Sequence, residues 1–265
     1  MTTTTADPRA LPRTQRLAAV LQQHRVYRDV FEILLVALAF LLYFIVRGAV
    51  ADRQDDALAN ANSIIEFERA LGIFWEPRLQ QVVLHRQPLI DLFNFIYFWL
   101  DFPLIVALGF WLYFFRRHEY TVTRDALLLS GAISLVIYNQ FPVMPPRLLP
   151  NDLFVGTIEK YNDLSYQAQS LSAFVNPYAA VPSLHFGWAM LIGGALFVSV
   201  ENRLVRAFGV LLPWAQMAAI VFTANHYIID AFVGAAVCVV GLALALVLQQ
   251  WFYPQLQRRF APVEP

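Results

Sequence analysis

Residues 225–250 read NHYIIDAFVGAAVCVVGLALALVLQQ. No charged side chain follows Asp230 in that stretch. The apolar run matches the roughly 20 helical residues that cross a hydrocarbon core about 30 Å thick. Two ionisable groups, His226 and Asp230, stand at its start. The stretch therefore reads as a membrane-spanning helix with polar chemistry at one membrane surface. Further apolar segments run near 30–50, 89–115, 123–142, 183–200 and 204–224. The expected fold class is an all-α integral membrane protein, a six-transmembrane-helix bundle.

Composition agrees. Hydrophobic residues make up 58% of the chain and charged residues 14%, against roughly 25% charged in a soluble domain. The mean hydropathy is +0.52. Such a chain lacks the polar surface of a soluble globule or a disordered tail. Its formal net charge of zero gives no general attraction for nucleic acid. The one cysteine, Cys238, excludes an intrachain disulfide framework and a cysteine-rich metal cluster.

The domain reading follows the apolar runs. Residues 1–28 are a polar cytoplasmic tail, 29–251 a six-span membrane catalytic domain, and 252–265 a cytoplasmic C-terminal tail. Residues 51–88 mix charged and apolar side chains. Ile64, Ile65, Phe67, Ala70 and Leu71 alternate with Glu66, Glu68 and Arg69 at helical spacing, as in an interfacial helix lying on the bilayer in the first outer segment. Residues 143–182 are proline-rich and read as an irregular loop outside lipid. Pro103 is expected to kink the second span. With six spans both termini share a side, and Arg116, Arg117, Arg124, Arg203 and Arg206 fall on that side with the arginine-rich tail. The positive-inside rule then puts both termini in the cytoplasm.

On that topology Phe141–Arg147, Val181–His185 and Asn225–Asp230 meet on the extracytoplasmic face. His226 and Asp230 are four apart, so they share one helix face. The carboxylate can fix the imidazole tautomer and leave the other nitrogen as base or nucleophile. His185 is a second imidazole able to act as general acid. Arg147 offers forked donors suited to phosphate. Ser183 and the first-turn amides of span four add anion donors. Together they suit phosphoryl transfer. Other readings stay open: a metal held by His226, Asp230 and His185, Arg147 as a snorkelling anchor, or solvated interfacial histidines. Asp101 sits near the middle of span two, where a carboxylate is costly unless it faces the bundle interior. It reads as a structural hydrogen bond to another helix, as a group behind the site, or as lining a polar cavity with Asn94 and Tyr97. His85 and Glu76 read as surface residues.

These motifs resemble the type 2 phosphatidic acid phosphatase superfamily. Pro182–Ser183–Leu184–His185 followed by His226–Tyr227–Ile228–Ile229–Asp230 carries the likeness. Pro-Ser-Leu-His in place of Pro-Ser-Gly-His is similar to the inositol phosphorylceramide synthase-like branch. So is the segment with Glu68, Leu71–Gly72–Ile73–Phe74 and Glu76–Pro77. The resemblance implies His226 as nucleophile forming a phosphohistidine, Asp230 as its orienting group and His185 as acid and then base. Arg147 and Ser183 would bind phosphate, and Asn225, Tyr227 and Asp101 are candidates to stand behind them. It implies no metal and no cofactor. The substrate would be a lipid phosphate or phosphodiester in the cell (plasma) membrane, with water or an alcohol as acceptor and no nucleic acid partner. Two cations of the phosphatase pattern are missing: Gln140 and Phe141 stand where a lysine is usual, and Ala219 and Ile220 where Ser-Arg is usual. A singly charged phosphodiester fits that loss. The alternatives are a simple lipid-phosphate or polyprenyl-phosphate phosphatase and, from another class, a lipid transporter or flippase.

Overall fold

The computed structural model describes residues 29–30, 32–39, 41–42, 45–46, 52–161 and 177–255. The expected polar tail 1–28, loop residues 162–176 and residues 256–265 lie outside them. The chain divides into two compact units, Met1–Phe44 and Ile45–Pro265. The described residues of the first are helical, with Ile33, Leu34, Val36, Leu38 and Leu41 exposed. The first expected span falls largely in this unit.

The second unit is helical. It contains α1 (Gln54–Leu71), α2 (Glu76–Leu84), α3 (Gln87–Trp99), α4 (Phe102–Phe115) and α5 (Arg117–Gln140). After a single 3₁₀ turn at Pro146–Leu148 come α6 (Thr157–Tyr161), α7 (Leu184–Ser199), α8 (Arg203–Phe222) and α9 (Ile228–Val247). Among the described residues there is no strand, only an isolated bridge between Val143 and Ala179.

Helix ends follow local chemistry. α2, α3 and α4 each carry proline in the first turn, where its missing N–H removes no bond. Pro103 therefore does not kink a continuous helix. It starts a new one: α3 stops at Trp99, α4 begins at Phe102, and the two meet at 42°. A proline inside the helix would lose a hydrogen bond and clash with the preceding turn. Gly72 ends α1 at φ 72°, where a Cβ would be strained. Asn202 caps α8 through its side chain onto the amides of Leu204 and Val205.

Among the described residues three helices are long and apolar enough to cross a membrane, four if the bent α3–α4 pair counts as one span; α7 is a shorter apolar helix. α7 packs against α8 and α9, α9 also against α5, and α8 against α3. Glycines permit the closest approaches. A Cβ on Gly187 would meet Cys238 Sγ and Gly234 O, and one on Gly193 would collide with Gly209 O. Large apolar side chains such as Phe110, Phe114, Val198, Trp214, Val239 and Trp251 point outward. α1 buries Ala57, Ala61, Ile64, Ile65 and Glu68 along one face, while Phe67 and Leu71 stay exposed.

Candidate active site

Three segments distant in sequence are tied together by backbone bonds. Val143 N–H donates to Tyr178 O at 2.8 Å, and Arg147 N–H to Ala224 O at 2.9 Å. Ser183 N–H donates to Asp230 O at 2.9 Å. The Tyr227 hydroxyl donates to Met144 O at 3.0 Å. The expected convergence of Arg147, Ser183, His185, His226 and Asp230 is therefore the geometry of the chain. Ala224, buried at φ 57°, holds the turn before His226 in the left-handed region that alanine rarely adopts.

His226 is nearly fully buried. Its Nδ1 lies 2.7 Å from Ala180 O and 3.3 Å from Asp230 Oδ2. A carbonyl only accepts, so Nδ1 carries the hydrogen and Nε2 holds the lone pair. Burial, with the Arg147 charge adding to it, lowers the imidazole pKa to about 4 against the raising effect of the Ala180 bond. The ring is thus neutral at physiological pH. Asp230 is also tied to its own turn, where Oδ2 accepts from Tyr227 N–H at 2.9 Å. Asn225 turns its amide to the Thr223 hydroxyl at 2.8 Å, so its side chain braces the turn.

Two more carboxyls stand behind that turn. Glu68 Oε1 accepts from Ile229 N–H at 2.8 Å and Glu76 Oε1 from Ile228 N–H at 2.9 Å. Glu76, expected at the surface, is fully buried, as is Glu68. Both satisfy amides that open α9, which have no partner within the helix. The Oε2 atoms of both carboxyls are buried without a hydrogen-bond partner among the described residues. Burial first, and then the Glu76 neighbour, raises the Glu68 pKa to about 9. Spacing carried a signal for Glu68, which continues the helical face of Ala57, Ala61 and Ile64.

His185 stands opposite His226, with ring centroids 5.6 Å apart. Its Nε2 lies 3.4 Å from Asp101 Oδ2, and its ring stacks on Tyr97 at 4.2 Å. Asn94, grouped with these in the sequence, bonds Thr157 instead, accepting from its hydroxyl at 2.8 Å. Ser183 Oγ is buried, makes no cap on α7 and has no hydrogen-bond partner in the protein. Ala219 and Ile220 are fully buried in an apolar cluster with Phe186 and Ile228. Among the described residues of the three converging segments, Arg147 is the permanent cation.

An all-helical domain with membrane-spanning helices, whose last helix opens on a paired histidine and carboxylate, defines the class of protein. The chain belongs to the PAP2 superfamily, whose family model matches residues 62–244. Comparison with curated protein sequences gives no match. Among solved structures, the crystal structure of Aquifex aeolicus LpxE superposes with a TM-score of 0.49 at 18% identity, covering 64% of this chain and 92% of that one.

Proposed function

We propose that the protein is a lipid phosphotransferase or phosphatase that works through a phosphohistidine at the outer leaflet of the cell membrane. The observation that carries this reading is His226. Its Nδ1 hydrogen is held by Ala180 O, which leaves Nε2 as the nucleophile. Nε2 attacks phosphorus, a P–N bond forms as the P–O bond to the leaving group breaks, and a proton from His185 goes to the departing oxygen. An acceptor hydroxyl then gives its proton to His185 and its oxygen to phosphorus, and the P–N bond breaks. Arg147, Ser183 Oγ and the first-turn amides of α7 stabilise charge on the phosphoryl oxygens.

Buried apolar side chains at Ala219 and Ile220 favour the inositol phosphorylceramide synthase-like reading. A phosphodiester carries one negative charge and needs fewer cations than a monoester. Water as acceptor gives the second reading, a lipid-phosphate or polyprenyl-phosphate phosphatase.

Purified protein in detergent is given a lipid phosphomonoester and, separately, a phosphodiester lipid with alcohols including inositol. A new head-grouped lipid without free phosphate identifies a transferase, and free phosphate from the monoester a phosphatase. Either activity is expected to vanish in His226→Ala. A His226→Ala protein with full activity overturns the reading.

A further inference from the structure

A carboxylate at the break of the bent span faces the second histidine. Asp101 occupies the N-cap of α4, where an aspartate ordinarily accepts from the second or third amide of the helix. It makes no such cap. Instead its Oδ2 lies 3.4 Å from His185 Nε2, with the two side chains only 16% and 24% exposed. Tyr97, about one turn before the break, stacks on the same ring with 22° between the planes. The stacking sets the plane of the imidazole, and the Asp101 carboxyl lies at its Nε2 edge. With Nε2 turned to Asp101, Nδ1 is the nitrogen left to exchange a proton with substrate. The groups that face His185 are Asp101 from the α3–α4 break, Tyr97 from α3 and His226 from the α8–α9 turn. Asp101 is the one carboxyl among them.

We infer that Asp101 is a positioning residue for phosphoryl transfer, orienting His185 through Nε2 and balancing its charge while the ring carries the Nδ1 proton destined for the leaving oxygen. The inference rests on the functional reading above. Each histidine is then backed by its own carboxylate, Asp230 behind His226 and Asp101 behind His185. When the P–O bond breaks, the Nδ1 proton passes to the leaving oxygen and His185 becomes neutral. When the acceptor attacks, its proton returns to Nδ1 and the pair with Asp101 is restored. The break in the span thereby gains a purpose: it brings a carboxylate to the depth of the site without placing it inside a continuous helix.

Asp101→Asn separates this role from a structural one. Asparagine caps a helix as well as aspartate and keeps a polar group at the break, yet it cannot balance an imidazolium. Two probes are compared: dodecyl phosphate, whose alkoxide must be protonated as it leaves, and 4-nitrophenyl phosphate, whose phenolate leaves as a stable anion. General acid catalysis contributes about 10²–10⁴-fold. Asp101→Asn is therefore expected to lose on the order of 10²-fold on dodecyl phosphate and far less on 4-nitrophenyl phosphate. His185→Ala should show the same selectivity, and the double variant should be no worse than His185→Ala. Equal losses on both probes, or no loss on either, overturn the inference. If the wild-type protein acts only on the phosphodiester lipid, the same comparison is made with diesters bearing an alkyl and a 4-nitrophenyl leaving group; if it acts on neither monoester nor diester in a His226-dependent way, it is the functional reading that fails.

Discussion

Ser183 opens α7 without doing what a serine there ordinarily does. An N-cap hydroxyl accepts from an early amide of its helix, whereas Ser183 Oγ is buried and bonds nothing in the protein. A buried hydroxyl left unsatisfied costs about 1–3 kcal/mol. Ser183→Ala removes that cost and also removes a donor to the phosphoryl group. The variant should unfold at the same temperature as wild type or higher, while turnover falls on the order of 10²-fold. Joint loss of stability and turnover would mark the hydroxyl as structural. Glu68 makes a prediction of the opposite kind. Its pKa in the folded protein is about 9 against an ordinary 4.5, so the fold binds this proton more tightly than the unfolded chain does. The stability it contributes is fully present below about 4.5 and is lost as pH rises through about 9. The unfolding temperature of wild type should fall between neutral pH and pH values above 9. Glu68→Gln, which still accepts from Ile229 N–H and does not ionise, should remove most of that slope. Parallel profiles for the two proteins would refute the assignment of that slope to the buried Glu68 carboxyl.

The N-termini of α7 and α9 are built as one unit. Ser183 N–H donates to Asp230 O, and a Cβ on Gly234 would collide with the Ser183 backbone. Neither side has a flexible end that can yield. Gly234→Ala should therefore destabilise the protein by about 1–3 kcal/mol and separate Ser183 from His226, lowering activity as well. Gly109→Ala in α4, where a Cβ meets nothing within 4 Å, serves as the control in thermal unfolding and turnover. The legibility of these elements in the sequence was uneven for physical reasons. α9 announced itself by an uninterrupted apolar run, and its His226–Asp230 pair by a four-residue spacing at the mouth of that run, although His226 stands in the turn before α9 and reaches Asp230 from there rather than along one helix face. The α3–α4 break was half legible: Pro103 marked a disturbance, but not that the chain would use it to begin a helix. The bond from His226 to Ala180 O leaves no trace in side-chain chemistry, because every residue has a carbonyl. The approach of Asp101 to His185 depends on how α3 and α7 lie together, which neither segment encodes alone. Glu76 misled because a charged residue in a mixed segment is ordinarily solvated, and its partners are amides at the start of a helix far along the chain.

Across the unit Ile45–Pro265 the helices sort their ends by charge. α5 and α8 finish at the site and α7 and α9 begin there, so their other ends lie together on the opposite side. That side carries Arg116, whose Nε donates to Ser199 O at 3.1 Å, and Arg206, whose Nε donates to Val200 O at 2.7 Å. It also carries Arg124 paired with Asp125 at 2.7 Å, where Gln249 and Tyr253, just past the end of α9, are bound as well. The site side instead holds α1 and α2, fastened by Asn60 to Pro142 O and by Gln80 to Val155 O and Phe222 O. Arginines gathered at the far ends of short connections favour that side in the cytoplasm; in the proposed function the histidines would then face the outer leaflet. Cysteine labelling in intact cells tests the orientation directly. Asn151 and Glu201 are exposed on opposite sides of the unit, and the native Cys238 is buried and so stays silent. A membrane-impermeant maleimide should label Asn151→Cys without permeabilisation and Glu201→Cys only after it. The reverse pattern would turn the site toward the cytoplasm, and a substrate from the inner leaflet would then replace the outer-leaflet lipid in the functional reading.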